Sequence, residues 1–562
     1  MSDNLAAAEA RFNQVARNSS IMVMGTLGSR IFGFVRTAIF ALIVRSSVAG
    51  DAFNQANNLP TAIYTLIATG VVTGVLIPQI AKAMKRPDGG EDFVNRLLTL
   101  SLLVVAVCAV VCTLAAPRLI SLIVSGKASV AVPGYLHLAI LLGYWCLPQI
   151  FFYGLYASLG QVLNARGHFA AYAWAPAWGN LVQIAGLIGF WVLWGYQPDP
   201  SQWSTAMVAL LGASTTLGIA VQGLCLIWPL RREGFRFHPR FGWRGYGFGE
   251  VSRMTGWTFA AMLATFLQSQ VVSWAANATR GGVADYAGNS TLQYATQLYI
   301  LPHSLIMASI VTALFPGMAK AWADRDTRHQ KNLLRQGLMT PSVLVIPASI
   351  AMIGLGMPLI RTVIPFLSPV ETVNVWQVMA AYSIGIWAYG ITALKQRYYF
   401  AKQDGWTNFW LVLVMVGVQL AASFLAVWVL PGRYGVIGIA LGSTFGVMLA
   451  AGLFLWLARR ELGPFGLRGI IWLWAKVTLA SALAALAGWG TTRVLGNLWP
   501  SMHFGLVELV GGGIVFVLVF WVAAVVLRIN QVTTLVHQAV DKVKHLLSRT
   551  RRRGNSPAAG VE

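Results

Sequence analysis

Residues 97–117 of the chain read LLTLSLLVVAVCAVVCTLAAP, and this stretch contains no charged residue. At about 1.5 Å per residue, a helix of this length spans about 30 Å, the thickness of the hydrocarbon core of a bilayer. An uncharged apolar run of about 18 or more residues is typical of a transmembrane helix. We therefore predict a membrane-spanning helix here and apply the same criterion outward along the chain.

Similar apolar stretches recur throughout the 562 residues, and they predict an all-α polytopic membrane protein with about fourteen transmembrane helices. The predicted helices lie near residues 20–45, 52–81, 97–125, 132–163, 169–195, 203–230, 252–279, 288–319, 336–365, 372–401, 406–430, 434–458, 469–496 and 504–527. Only 10% of the residues are charged, against about 25% in soluble domains. Residues 1–19 are polar, so we expect the first span to act as the insertion signal.

The distribution of Lys and Arg predicts the orientation of these spans. If the N-terminus is cytoplasmic, the inner loops and tails hold 30 basic residues and the outer loops hold seven. An excess of this kind marks the cytoplasmic side, so we expect an inner-membrane protein with both termini inside. Because the net charge of +23 is spread over every inner loop, we expect no nucleic-acid partner. The basic C-terminal tail is expected to contact anionic membrane lipids.

Two halves of the chain resemble each other. IPQIAKAM at 77–84 matches FPGMAKAW at 315–322, and the stretch from Tyr153 matches the one from Tyr389. The offsets of 238 and 236 residues place six helices between the copies, so the predicted repeat is parallel, as in transporters that rock two lobes around a central site. The resulting domains are a tail (1–19), an N-lobe (20–230), a basic linker (231–251), a C-lobe (252–460), a terminal helix pair (461–530) and a basic tail (531–562).

Ionisable residues inside predicted spans are functional candidates, because burying a charge in a bilayer costs several kcal/mol. Arg30 and Arg36 lie in the first span, and Asp51 opens the second, followed by Asn54 and Asn58. Apart from Asp51 and Glu508, no carboxylate falls within a predicted span, which favours an anionic substrate over cation-coupled drug export. Arginine suits phosphate oxygens through its planar fork of donors, although either side chain could instead extend to the headgroups.

No catalytic arrangement is present in the sequence. It contains no Walker A motif, no nucleophile elbow and no His, Cys and carboxylate set at metal-binding spacing. Cys108 and Cys112 are one helical turn apart, but we interpret all four cysteines as small apolar residues within spans. We therefore expect a transporter with no cofactor or metal, not an enzyme.

The stretch GTLGSRIFGFVRTAIFA (25–41), followed by DAFNQANNLPTAIYTLIATGVVTGVLIPQIAKA (51–83), resembles the start of the MurJ/MviN family. These proteins are lipid II flippases of bacterial peptidoglycan synthesis and belong to the multidrug/oligosaccharidyl-lipid/polysaccharide exporter superfamily. The likeness extends to helix number, the two lobes, the added helix pair and YATQLYILPHSLIMASIVTALFPGMAKA at 294–321. It implies a flippase for a polyprenyl-diphosphate-linked saccharide, most simply lipid II, working by alternating access.

The resemblance implies that Arg30 and Arg36 hold the lipid diphosphate and that the terminal helix pair forms a groove for the polyprenyl tail. The complete predicted substrate-binding set is Arg30, Arg36, Asp51, Asn54, Asn58, Arg253 and Gln297, and the predicted hinge or gate residues are Gly33, Pro60 and Pro302. The chain departs from the family pattern at Gln297, where members carry a basic residue, and at Ile300, where they carry an acidic one.

Two alternatives stay open at this level. The chain could be a flippase for another polyprenyl-diphosphate glycan, or a non-transporting membrane scaffold for cell-wall synthesis. Cell-wall synthesis proteins are a further expected class of partner, besides lipid II and membrane lipids.

Overall fold

The computed structural model describes residues 24–25, 27–67, 91–124, 132–166, 169–242, 253–281, 283, 285–498 and 505–532. Within these ranges all regular secondary structure is helical, which confirms the predicted all-α class. In chain order the helices are α1 (Leu27–Val44), α2 (Val48–Ile67), α3 (Glu91–Leu114), α4 (Ala116–Val124), α5 (Tyr135–Cys146), α6 (Gln149–Ala165), α7 (Phe169–Trp194), α8 (Thr205–Leu224), α9 (Ile227–Arg232), α10 (Arg253–Arg280), α11 (Asn289–Pro302), α12 (Ala308–Ala323), α13 (Thr327–Gly354), α14 (Gly356–Val363), α15 (Pro369–Ser383), α16 (Ile386–Ala401), α17 (Gly405–Trp428), α18 (Gly432–Leu462), α19 (Leu467–Leu498) and α20 (Leu506–Val526).

Eleven helical stretches within the described ranges are long and apolar enough to cross a membrane. They comprise α1, α3, α5 with α6, α7, α8 with α9, α10, α13, α17, α18, α19 and α20. The other three predicted spans overlap α2, α11 followed by α12, and α15 followed by α16; residues 68–81 of the first of them lie outside the described residues. The count of fourteen stays a prediction.

Each of these three departs from a plain apolar helix in a visible way. Helix α2 carries Asp51 and a run of amide side chains. Between α11 and α12 the chain passes through a π-helical turn at His303–Met307, directly after Pro302. Between α15 and α16 the helix is broken at residues 384–385. Breaks within a bilayer are tolerated where the backbone is buried in protein or lines a cavity.

By internal packing the chain divides into two compact units. Unit 1 comprises Met1–Leu298, Ile360–Tyr382 and Gln403–Ala450, and unit 2 comprises Tyr299–Leu359, Ser383–Lys402 and Ala451–Glu562. The lobe borders predicted from the sequence, and the repeat on which they rest, stay predictions. The first repeat motif, at 77–84, lies outside the described residues.

In unit 1, small residues let neighbouring helices approach closely. Gly179 of α7 faces Gly218 of α8, and Gly186 of α7 faces Ser214 of α8 so closely that a Cβ atom at Gly186 would overlap the serine side chain. Close backbone approach at small residues is a common basis of helix association in membranes, where lipid tails are as apolar as leucine. The α7–α8 pair therefore depends on glycine where the two helices touch.

Unit 2 is built around α13, α19 and α20. Val343 and Ile346 of α13 pack against Leu473 and Val477 of α19 in one buried cluster. Helix α20 leaves several apolar side chains exposed, among them Val517. Such a surface suits contact with lipid rather than water.

The α7–α8 contact gives the first prediction. We expect Gly186→Ala to lower the free energy of unfolding by about 1–3 kcal/mol, because the added methyl group overlaps Ser214. Gly189→Ala is the matched control on the same helix, since a Cβ there meets nothing nearer than Leu210 at 3.9 Å. Thermal unfolding in detergent measures both. An unfolding temperature of Gly186→Ala at or above that of Gly189→Ala would contradict the packing described.

Candidate functional site

A polar cavity lies within unit 1, between α1, α2, α7, α8 and α11. Its volume is about 110 Å³, below the range of about 300–1,000 Å³ that is usual for ligand sites. Its described lining consists of Arg36, Thr37, Phe40, Phe53, Asn54, Asn57, Asn58, Gln183, Leu187, Thr215, Gln293, Tyr294 and Gln297. Four of the seven predicted binding residues are in this lining: Arg36, Asn54, Asn58 and Gln297.

Arg36 is the one charged residue in the described lining. Its Nη1 donates a hydrogen bond of 2.7 Å to Oε1 of Gln183, a buried residue of α7. A guanidinium carries five N–H donors, and the others have no hydrogen-bond partner among the residues that the structure describes. Arg36 therefore presents a positioned positive charge with donors still free for an anion.

Six carboxamides surround this charge: Asn54, Asn57, Asn58, Gln183, Gln293 and Gln297. Several are held in place by bonds to their neighbours. Thr37 donates to Oε1 of Gln297 at 3.0 Å, and Asn54 donates to Oγ of Ser290 at 3.0 Å. The Nδ2 group of Asn58 is buried with no partner in the described structure. Because an unpaired buried donor costs about 1–3 kcal/mol, Asn58 is available to a ligand that accepts a hydrogen bond.

Beside the cavity, Asp51 and Arg280 form a buried ion pair. Nη1 of Arg280 lies 2.7 Å from Oδ2 of Asp51, and the side chains are only 3% and 2% exposed. Nη2 of Arg280 also donates to the carbonyl of Ser46 at 2.6 Å. The second carboxylate oxygen of Asp51 accepts the backbone N–H of Ser290 at 2.6 Å. This Asp51–Arg280 cluster joins the end of α10 to the starts of α2 and α11.

The turn between α1 and α2 is held by further bonds. Oε1 of Glu371, in the first turn of α15, accepts the backbone N–H of Ser46 at 2.8 Å. The hydroxyl of Ser46 lies 2.7 Å from that of Thr291 in α11, and Tyr294 donates to the carbonyl of Arg45 at 3.0 Å. With Arg280 of α10 also bonded to Ser46, five helices meet at this turn: α1, α2, α10, α11 and α15.

The seven basic residues counted in the outer loops include Arg280, which the structure places in the last turn of α10 with an almost fully buried side chain. The sequence did contain a signal for the pairing of Arg280 with Asp51. Asp51 and Arg280 stand at ends of predicted spans that share one side of the membrane. A basic residue in the last turn of a helix is also stabilised by the helix dipole. Glu371 was not singled out either, and three of the six carboxamides, Asn57, Gln183 and Gln293, were absent from the predicted binding set.

The other predicted residues lie elsewhere. Arg30 is half-buried on α1 but is absent from the described lining of the cavity. Asp51 lies outside that lining, within the ion pair. Helix α10 begins at Arg253, whose side chain lies outside the described residues. Functional roles for these three residues stay predictions.

The predicted hinge residues occupy distinct positions. Gly33 is on α1 opposite Asn180, whose Nδ2 donates to the carbonyl of Ser29 at 3.1 Å. Pro60 is buried inside α2, and Pro302 immediately precedes the π-helical turn. Their roles as hinges or gates stay predictions.

The cysteines form no metal centre in the described part of the chain. Cys108 and Cys112 are free thiols with their sulfur atoms 3.8 Å apart. Among the described residues, no group of three or more His, Cys, Asp or Glu side chains could hold a metal ion.

Comparison with known proteins identifies the family of this chain. The family described as "Lipid II flippase MurJ" matches residues 40–509. The chain belongs to this family. A probable lipid II flippase MurJ of Rhizobium tropici is 25% identical over 522 residues, covering 89% of this chain and 91% of the relative.

Solved structures share the fold. A lipid II flippase MurJ in an inward closed conformation has a TM-score of 0.67 at 19% identity, covering 90% of this chain and 98% of its own. An inward-facing multidrug resistance MATE family transporter of the MOP superfamily has a TM-score of 0.60 at 15% identity, with coverage of 80% and 98%. Family and fold confirm the predicted resemblance and a multi-pass inner-membrane transporter.

The buried ion pair gives the second prediction. We expect Arg280→Gln to lower the free energy of unfolding by about 3–5 kcal/mol, because it leaves the Asp51 carboxylate buried without its cation. The double variant D51N/R280Q should lose less than the sum of the two single variants, since neither buried charge remains.

Thermal unfolding is measured for the wild type, the two single variants and the double variant, which together form a double-mutant cycle. The control is Arg433→Gln, which removes an exposed arginine at the start of α18 and should leave the unfolding temperature unchanged. Additive effects of D51N and R280Q would contradict a direct interaction.

Proposed function

We propose that this protein translocates lipid II, the polyprenyl-diphosphate-linked peptidoglycan precursor, from the inner to the outer leaflet by alternating access. Family membership supports this proposal, as does the fold shared with transporters of the same superfamily. The observation that carries it is the cavity, in which one positioned arginine is surrounded by carboxamides and no carboxylate is in the described lining. That composition suits an anionic headgroup with many hydrogen-bonding groups.

Arg36 would bind the diphosphate. Its guanidinium is oriented by Gln183 at 2.7 Å, so its free donors can engage phosphate oxygens without first being ordered. Asn58 offers a donor with no competing partner in the described structure. The remaining carboxamides act both as donors and as acceptors, which matches the hydroxyl and amide groups of a glycopeptide headgroup.

The Asp51–Arg280 cluster would close the outer side of the cavity. It lies beside the cavity lining, and it joins the first predicted lobe, through α2, to the second, through α10 and α11. Opening toward the outside would require these bonds to separate together. A closure of this kind is strong when dry and weakens once water reaches the charges.

The remaining features of the transport cycle are proposals from the sequence. Both termini would be cytoplasmic, following the basic loops. The polyprenyl tail would stay in lipid against α19 and α20. The membrane potential, at about 2.3 kcal/mol per elementary charge per 100 mV, would act on charged groups in the cavity. Cell-wall synthesis proteins are proposed as further partners.

The third prediction separates the two arginines of α1. In bacteria depleted of their own lipid II flippase, this chain should restore cleavage of lipid II by an impermeant enzyme added outside the cells. Arg36→Ala should abolish that cleavage, because the only cation of the described lining is removed. Arg30→Ala should reduce it less, since Arg30 is absent from that lining.

Arg433→Gln at an exposed position is the control for expression and charge, and membrane levels of all variants are compared by immunoblot. A scaffold role would leave the Arg36→Ala variant fully functional. A well-expressed wild-type chain that restores no cleavage would point instead to another polyprenyl-diphosphate glycan, provided the chain is inserted correctly in the host.

A further inference from the structure

Residues 233–242, which we call the strap, follow α9 and run across the first turns of α3. The backbone N–H of His238 donates to Oδ1 of Asn95, and that of Arg240 donates to Oγ1 of Thr99, each at 3.0 Å. Both α3 side chains are buried, with 5% and 7% exposure. Because residues four apart share one face of a helix, these two anchors hold the strap along a single line.

Further contacts fix both ends of the strap. Near its start, Phe235 is buried, and the guanidinium of Arg166 lies 5.0 Å from the centre of its ring. Near its end, Asp92 pairs with Arg240 at 2.9 Å, and Nη1 of Arg96 donates to the carbonyl of Gly242 at 2.9 Å. The strap is therefore part of the packed structure of unit 1, tied to α3 and to the end of α6.

The outward side of this region combines aromatic rings with arginines. Trp228, Phe237 and Phe241 are 61%, 41% and 65% exposed. The side chains of Arg231 and Arg236 are exposed, and their guanidinium groups bind none of the residues that the structure describes. From Trp228 to Gly242, four arginines stand against one acidic residue, Glu233.

The position of this surface indicates what covers it. Trp228 lies near the end of the apolar stretch Thr205–Arg232, which is long and apolar enough to cross a membrane. Tryptophan is enriched at the ends of membrane-spanning helices, at the level of the lipid headgroups, so the rings and guanidinium groups that follow are suited to contact with headgroup phosphates. Arg232 already stacks on Trp228, with its guanidinium 3.7 Å from the ring centre.

We propose that the strap and the end of α9 form a binding surface for the headgroups of anionic phospholipids. The proposal rests on the cytoplasmic orientation given under the proposed function, because the cytoplasmic leaflet carries the anionic lipid. The buried anchors Asn95 and Thr99 set the backbone path, the aromatic rings enter the interfacial layer, and Arg231 and Arg236 meet the phosphodiesters. Since the same anchors tie the strap to α3, bound lipid would stabilise the packing of that end of unit 1.

Photo-cross-linking tests this proposal directly. The full-length protein with Phe237→p-benzoylphenylalanine is reconstituted into vesicles of phosphatidylcholine alone or of phosphatidylcholine mixed with phosphatidylglycerol. Irradiation followed by mass spectrometry reports which lipid is attached. We expect phosphatidylglycerol to be attached several-fold more often than its share of the mixture, since each basic residue near an anionic surface contributes about fivefold to binding.

The double variant R231Q/R236Q should remove that preference, because it deletes two exposed cations that have no described partner. The matched control is R459Q/R460Q, which removes two arginines at the end of α18, where Arg460 lies 5.7 Å from the ring centre of Trp456. This control makes the same change in charge outside the strap, so the protein should keep its preference for phosphatidylglycerol.

Three outcomes would overturn the proposal. These are equal attachment of the two lipids, a preference that survives R231Q/R236Q, and a preference that R459Q/R460Q removes equally well. The measurement needs no transport, so it is independent of whether lipid II is the substrate. Failure of the lipid II assay with a retained lipid preference would leave this inference standing.

Discussion

The guanidinium of Arg280, which is only 3% exposed, holds together the helix ends beside the cavity. An isolated charge at such a depth would cost many kcal/mol, and Arg280 is tolerated because Asp51 and the carbonyl of Ser46 surround it. Asp51 is stabilised in turn by the backbone N–H of Ser290. The cavity residues sit on the same helices, with Asn54 less than one turn beyond Asp51 and Gln293 less than one turn beyond Ser290. The geometry of the cavity therefore depends on this ion pair.

The helices that meet at the ion pair are also among the less apolar ones. Helices α2 and α11 coincide with predicted spans that are not apolar enough, or not long enough, to count as membrane helices by themselves. A polar helix in lipid would be unstable, but each of these places its amides toward the cavity or toward other buried polar groups. Their polarity is a consequence of lining a cavity, where polar side chains find partners or ligand.

The charge of the cavity is modest for a site that we propose binds a diphosphate. Arg36 is accompanied by six carboxamides, among them Gln297. A carboxamide can both donate and accept hydrogen bonds, whereas a guanidinium only donates. The lining is therefore better matched to a large headgroup with a single charged part than to a small, highly charged anion.

The sequence by itself determined the class of the protein. Apolar runs and few charges follow from the cost of exposing polar groups to lipid. That cost acts on each segment locally, so the runs are visible in any window of the chain. The same argument singled out Arg36, Asn54 and Asn58, because polar residues inside a span are costly unless they face a partner or a cavity. Arg36 and Arg30, however, look equivalent in the sequence, and only packing placed one in the cavity lining and the other outside it. The partners of Asp51 lie 229 and 239 residues away, and no local pattern encodes which distant helix end supplies them. That choice is made by the tertiary fold, since a buried charge must be neutralised by whatever the packing brings within hydrogen-bonding distance.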